Sequence, residues 1–337
     1  MPDPSATPLP EQMLGAQQDC LTVTVTAPAR LHLGFIDMSG DLGRHFGGLG
    51  LTLSGIQTRL SVTRSPGVQA QGPSSGRAEQ CARMLLRTLG LKGGVSIVIE
   101  EAIPEHVGLG SGTQLALAIC AAFVRLFDLD SGLYQLARLT ERGARSGIGL
   151  AAFESGGFLV DGGRGRATVV PPVLCQVAFP PPWRILLVSD HAQTGLNGSE
   201  EAAAFNQIPP MATSVSAHLC RVLLMRVLPA LAEHDFDAFG AGISTIQEAV
   251  GDYFAPYQGG RYSSPRVGEA LRWLQDEGLR GVGQSSWGPT GFALVDSASR
   301  AQNLWQEATQ QWGAPLSFSV CSGRNSGAEI GVHRKAA

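Results

Sequence analysis

The chain has 337 residues, 44% of them hydrophobic and 16% charged, and carries a formal net charge of −3. That composition excludes a disordered chain and allows two domains around sizeable cores. The slight negative balance argues against a dominant nucleic-acid or anionic-membrane surface, and no uninterrupted apolar run has the length of a membrane span.

Residues 1–19 carry Pro, Gln and Asp without a basic-then-apolar leader pattern, and are expected to be a loose tail. Leu21–Thr26 alternates apolar and polar residues and predicts a strand. The chain leaves that strand through Pro28 and then carries Arg30, His32 and Asp37. A glycine-rich stretch, Gly40–Gly50, leads to a β-like region over Leu51–Val62. Ser65–Gly76 has loop composition, Arg77–Leu89 predicts a helix and Val95–Ile99 a strand. The segment Ile103–Gln114 (IPEHVGLGSGTQ) places Gly108, Gly110 and Gly112 before the apolar run Leu115–Phe127. A second amphipathic helix is expected over Leu133–Arg145.

Prolines at 171, 172, 180, 181 and 182 flank a short apolar segment and set the expected boundary between domains at 20–172 and 180–337. Beyond it, Trp183–Val188 reads as a buried strand, and Met211–Leu231 and Phe236–Val250 as helices. Ser264–Glu277 follows as a helix, Phe292–Val295 as a strand, Ser299–Trp312 as a helix and Leu316–Val320 as a strand. This mixture predicts an α+β layer. The six cysteines (Cys20, Cys81, Cys120, Cys175, Cys220, Cys321) show no C-x-x-C pair and no zinc-type spacing, so the cytoplasm is the expected compartment.

A turn with three glycines opening a helix is suited to holding a phosphate or diphosphate. Glycines leave no Cβ between the backbone amides and the ligand, and the helix start adds unpaired N–H groups and a positive dipole end. A plain helix entry uses the same residues. Arg30 and His32, two apart on an extended segment, project to one face, where the guanidinium can meet an anion. Gln258-Gly259-Gly260-Arg261-Tyr262 sets an amide, a cation and an aromatic ring on a turn, groups that an aromatic acid would meet.

Three segments taken together, Ala27–Asp37, Ile103–Gln114 and Gly283–Ala293 (GQSSWGPTGFA), resemble the three signature segments of the GHMP small-molecule kinase superfamily. The resemblance implies a two-domain GHMP-kinase-like α+β fold. Its N-terminal domain would be ribosomal-protein-S5-like and its C-terminal domain a ferredoxin-like α+β domain. The departures from the kinase pattern are specific. Where the kinases carry a catalytic aspartate, this chain has Gly149 in Ser146-Gly147-Ile148-Gly149, and where their phosphate loop has a second serine it has Gly112 followed by Thr113. Glycine has no side chain with which to orient or deprotonate an attacking hydroxyl.

The segments Ala29–Asp37, Thr194-Gly195-Leu196, Tyr253-Phe254, Gln258–Tyr262 and Gln284–Gly291 closely resemble the family of β-ribofuranosylaminobenzene 5′-phosphate synthases, a non-kinase branch of that superfamily. The resemblance implies condensation of 4-aminobenzoate or 4-hydroxybenzoate with phosphoribosyl pyrophosphate (PRPP) in methanopterin biosynthesis, with loss of carbon dioxide and pyrophosphate. Under it, Arg30, His32, Asp37, Arg261 and Tyr262 are the candidate catalytic residues. Gly108, Gly110, Ser111, Gly112 and Thr113 would hold phosphate, and Gln258, Ser285, Ser286, Trp287 and Thr290 would meet substrate. Mg²⁺ or another divalent cation is expected and ATP is not; a homodimer is expected from the frequency of symmetric assemblies. Ile185–Gly195 superficially resembles the PRPP loop of ordinary phosphoribosyltransferases with one acid missing, which makes Asp190 a candidate metal ligand, with Glu141 a second. Two other classes stay open on the residues alone: an ATP-dependent kinase with an atypical base, and a phosphate-ligand-binding protein without turnover.

Overall fold

Val23, Val25 and Ala27, then Leu31, Leu33 and Phe35, recur at alternate positions and are buried, the period of a strand with one face in a core. In the computed structural model, which describes residues 20–130, 133–140, 145–195 and 207–335, they belong to one strand, β1 (Cys20–Asp37). Pro28 does not end the strand. The pairing of β1 with β2 (Arg44–Ser65) shifts register between Pro28 and Arg30 and again between His32 and Gly34. Such bulges accommodate a residue that cannot donate to the ladder and re-aim the side chains that follow.

The rest of the N-terminal half is arranged on β2. Its C-terminal end pairs with β4 (Gly94–Glu101), which in turn pairs with β3 (Gln69–Gln71); its N-terminal part pairs with β5 (Phe158–Asp161) and β6 (Arg164–Gly165). Helices α1 (Ser75–Leu89), α2 (Ser111–Leu126), α3 (Leu133–Leu139) and α4 (Ile148–Glu154) accompany this sheet. Helix α2 is apolar almost all round, with eleven buried residues, because it lies at the centre of the core formed with β1, β2 and α1.

After β7 (Val173–Val177), which pairs with β5, the chain forms β8 (Arg184–Asp190). Beyond it come α5 (Thr213–Val222), a π-helical turn over Leu223–Val227, α6 (Leu228–Glu233), α7 (Phe236–Gln258) and α8 (Pro265–Asp276). Then follow β9 (Val282–Gln284), β10 (Thr290–Val295), α9 (Ala298–Gln311), β11 (Leu316–Gly323) and β12 (Glu329–Lys335). The strands form one continuous sheet whose main path is β12-β1-β2-β11-β8-β10-β9. The junction is β11, which reaches β2 at Leu53 and Ser54 and β8 along its length. A single apolar core therefore runs across the expected boundary, joining Leu31 and Leu51 to Phe179, Trp183 and Phe239.

Two helices differ in detail from expectation. Helix α7 does not stop at Val250 but continues to Gln258, with Pro256 in its last turn, where Gly259 and Gly260 both donate to the Ala255 carbonyl. The predicted Met211–Leu231 helix forms as one helical stretch, Thr213–Glu233, with a π-helical turn at Leu223–Val227 within it. The helical stretch Thr213–Glu233 does have the length and mean hydropathy (1.5) of a membrane span. It packs against β1 and α7 through Leu219, Val222, Val227 and Leu231, the buried stripe of an amphipathic helix.

Candidate functional site

The glycine loop is built as the sequence implies. His106, Gly108 and Gly110 take positive φ (58°, 86° and 87°), and Gly110 is the N-cap of α2. A Cβ on Gly108 would collide with the backbone carbonyl of Ser285, so glycine is required there for close approach as well as for conformation. Gly110 accepts from the amides of Thr113 and Gln114. Ser111, Gly112 and Thr113 are half-buried at the helix start, where the N–H groups ahead of Thr113 have no intrahelical acceptor. The entry to the loop is pinned by Glu105, whose carboxylate accepts from Ser74 Oγ at 2.5 Å and pairs with Arg77 at 3.2 Å.

Arg30 and Ser285 join this loop to β1. The Arg30 backbone amide donates to Leu109 O (3.2 Å) and its Nη1 donates to Gly108 O at 2.6 Å. Ser285 is fully buried; its Oγ donates to the same Gly108 carbonyl at 2.8 Å and accepts the His32 amide at 3.0 Å. Residues 30, 108 and 285, far apart in sequence, thus meet at one carbonyl.

Beside it lies a narrow cavity of about 30 Å³, walled by His32, Phe35, Gln247, Phe254, Ser286 and Trp287 among others. The Phe254 and Trp287 rings stand 4.5 Å apart, as do those of His32 and Phe35. His32 is 4% exposed. Burial, reinforced by the charges of Arg30 and Arg145, pulls its pKa down from 6.5 to about 3, so the imidazole is neutral at physiological pH. Its Nδ1 accepts from the Gly34 amide at 3.3 Å, which places the proton on Nε2.

Other predicted residues sit elsewhere. Asp37 does not line the cavity. Its Oδ1 accepts from Ser39 Oγ and from the Ser39 and Gly40 amides. Burial pushes this carboxyl up, and the hydrogen bonds outweigh it and hold it below the ordinary value. Arg261 makes a two-pronged pair with Asp252 (2.8 and 2.9 Å) at the surface, its stem lying across Gly251. Tyr262 packs its ring over Gly268 of α8. Gln258 does join the site's polar network, accepting from Gln284 Nε2 at 3.2 Å and donating to Arg261 O. Thr290 is fully buried at the start of β10, where Ser285 donates its amide to the Thr290 carbonyl. Ser286 takes φ 56° and donates its amide to His32 O.

The carboxylate of Asp190 is committed to protein donors, accepting Ser264 Oγ at 2.6 Å and the Ala192 amide at 2.9 Å. Glu141 lies outside the described residues. Among the described residues no three His, Cys, Asp or Glu gather as a metal-holding group.

Gly149 is closed off by packing. A Cβ there would stand 2.8 Å from Thr113 Cγ2, and Gln114 Nε2 donates to the Gly149 carbonyl at 2.8 Å. The same region rests on Asp161, fully buried, which accepts from the Gly48, Gly147 and Gly163 amides and from Ser146 Oγ.

Residues 77–157 match the GHMP kinases N terminal domain and residues 227–314 the GHMP kinases C terminal family. The β-ribofuranosylphenol 5′-phosphate synthase of Archaeoglobus fulgidus is 31% identical over 90% of this chain and 98% of its own. The chain belongs to the β-ribofuranosylphenol 5′-phosphate synthase family. A second member, from Methanothermobacter thermautotrophicus, is 29% identical over 91% of this chain and 98% of its own. Solved structures share the synthase family's fold at lower identity. Lactococcus lactis galactokinase has a TM-score of 0.67 at 16% identity, covering 91% of this chain and 95% of the galactokinase. Cytophaga hutchinsonii homoserine kinase has 0.63 at 18%, covering 94% and 98%.

Sequence reasoning missed Gln247 and Phe254 as wall residues. Both lie on the buried stripe of α7 (Phe239, Ile243, Ile246, Gln247, Val250, Phe254). A glutamine inside an otherwise apolar helical stripe was the available signal.

Proposed function

We propose that the protein is a C-glycoside synthase that joins a para-substituted benzoate to the C1 carbon of PRPP, releasing carbon dioxide and pyrophosphate. The observation that carries this reading is the packing at Gly149. A Cβ at Gly149, the position where the kinases carry an aspartate, would stand 2.8 Å from Thr113 Cγ2, while the phosphate-type loop and an aromatic-walled cavity are present.

The chemistry needs no base at the attacking atom. The ring carbon bearing the carboxylate donates an electron pair to ribose C1 as the C1–O bond breaks and its pair leaves on pyrophosphate. The ring then recovers aromaticity when the C–CO₂ bond breaks and returns its pair. The protein has to stabilise the leaving diphosphate and align the ring. The amides of Ser111 and Gly112 serve the first need, with Arg30 beside them. Phe254 and Trp287 serve the second. A divalent cation is proposed to arrive with the diphosphate. The relatives are ribofuranosylphenol phosphate synthases, which favours a hydroxylated over an aminated ring.

The deciding assay is carbon dioxide release from carboxyl-labelled 4-hydroxybenzoate and 4-aminobenzoate with Mg²⁺ and PRPP, and with ATP in place of PRPP. Release that requires PRPP is the expected result. Nucleotide turnover with a small alcohol, and no release, would return the protein to the kinases.

A further inference from the structure

The first turn of α2 carries a fully buried amide, Gln114, just ahead of the buried apolar run Leu115–Phe123. Its Nε2 donates to the Gly149 carbonyl at 2.8 Å, and this fixes the orientation of the amide, because a carbonyl can only accept. No donor among the described residues reaches its Oε1. An unmet buried acceptor costs more than one hydrogen bond from the same amide returns. The Gly149 carbonyl, in the first turn of α4, has an intrahelical donor to turn to as well. Stability alone would therefore favour an aliphatic side chain at 114.

What Gln114 does is join two helix starts. Its backbone amide donates to Gly110 O at 3.0 Å, at the N-cap of α2, so it closes the turn that presents Ser111 and Gly112. The start of α4 is fastened separately to the sheet. Asp161, on β5, accepts from the Gly147 amide at 2.9 Å and Ser146 Oγ at 2.8 Å, and from the Gly48 amide of β2 at 2.9 Å. Gln114 thus ties the glycine loop to a point already fixed. The contact is close because residue 149 has no side chain: a Cβ there, 2.8 Å from Thr113 Cγ2, would push the two helix starts apart.

Resting on the diphosphate-holding role proposed above for the loop, we infer that Gln114 is a positioning residue. Through the Gly149 carbonyl it holds the first turn of α2 so that the Ser111 and Gly112 amides are set for the diphosphate before it binds. Donors stabilise charge on a leaving group best when they need no reorganisation as it develops. Gly149 is the other half of the same contact, since its missing side chain lets the helix starts meet.

The test compares wild type with Gln114→Met, Gly149→Ala and the double variant. Methionine keeps an unbranched side chain of similar volume and removes the donor. The readouts are pyrophosphate binding with Mg²⁺ by calorimetry, the thermal midpoint, and hydrogen exchange across the loop without ligand. Gln114→Met is expected to match or exceed the wild-type midpoint while binding pyrophosphate about tenfold more weakly, the scale of a small misplacement of binding groups. Exchange should quicken over residues 108–114 and not over the buried part of α2. The KM for PRPP should rise and that for the aromatic acid stay unchanged. Gly149→Ala should weaken pyrophosphate as well, and the double variant should be no weaker than the worse single one, because both break one contact. A lowered midpoint with unchanged pyrophosphate affinity would leave Gln114 a purely structural residue and overturn the inference; so would additive losses in the double variant. Equal binding by wild type and Gln114→Met overturns this inference alone, whereas failure of wild type to bind pyrophosphate overturns the loop's assignment and the inference with it.

Discussion

At the scale of single residues, a missing side chain and a neutral histidine define the site. Gly149→Asp would drive a carboxylate against Thr113 and the buried start of α4. It should lower stability by about 1–3 kcal/mol through overpacking and should not create ATP-dependent phosphoryl transfer; thermal denaturation and a nucleotide-turnover assay check the two halves. Ser285→Ala removes the hydroxyl that joins His32 to Gly108, and the expected loss is about 1–3 kcal/mol because a buried amide and a carbonyl each lose a partner. His32 makes a pH prediction. Its folded pKa of about 3 lies below the ordinary 6.5, so between these values the unfolded chain binds a proton that the folded chain refuses. Its contribution to stability is present above pH 6.5 and is lost as pH falls toward 3. Denaturant titrations should show a His32→Gln variant losing less stability than wild type over that window.

Among the elements, β1 and α7 decide the shape of the cavity. Gly34 takes φ +112°, and a Cβ there would press on Val250 and Ile246 at 3.3 and 3.4 Å. Gly34→Ala should therefore shift α7 away from β1, cost about 1–3 kcal/mol and weaken ring binding more than PRPP binding, an asymmetry that separate titrations would reveal. The local pattern of β1 was legible as alternation, but its continuation through Pro28 was not. A bulge depends on the partner strand, and β2 supplies the register that lets the chain pass the proline. Likewise α7 runs past Val250 because its last turns carry Phe254 into the aromatic cluster with Trp287, a tertiary gain that outweighs the local cost of Pro256.

For the whole molecule, the continuous sheet brings residues 30–34, 108–113, 247–254 and 284–287 together across both halves of the chain. Chelation of divalent cations should lower turnover by removing the cation that accompanies the diphosphate, while leaving the thermal midpoint unmoved; parallel activity and melting measurements with EDTA test this. By itself the sequence determined what depends on short-range chemistry: the glycine loop and its helix, the absent aspartate at Gly149, and the motif order that marks the family. Only the tertiary structure decided which polar residues face the cavity. Asp37, Asp190 and Arg261 looked like site residues, yet each spends its charge on nearby protein partners: the Ser39–Gly40 turn, Ser264 with the Ala192 amide, and Asp252. Gln247 looked like one polar position in an apolar helix, yet it lines the cavity beside His32 and holds the Gln284 amide. The difference is physical. A backbone turn is set by the residues within it, whereas the partner of a charged or amide side chain is set by whatever the fold brings within 3 Å, roughly the length of one hydrogen bond.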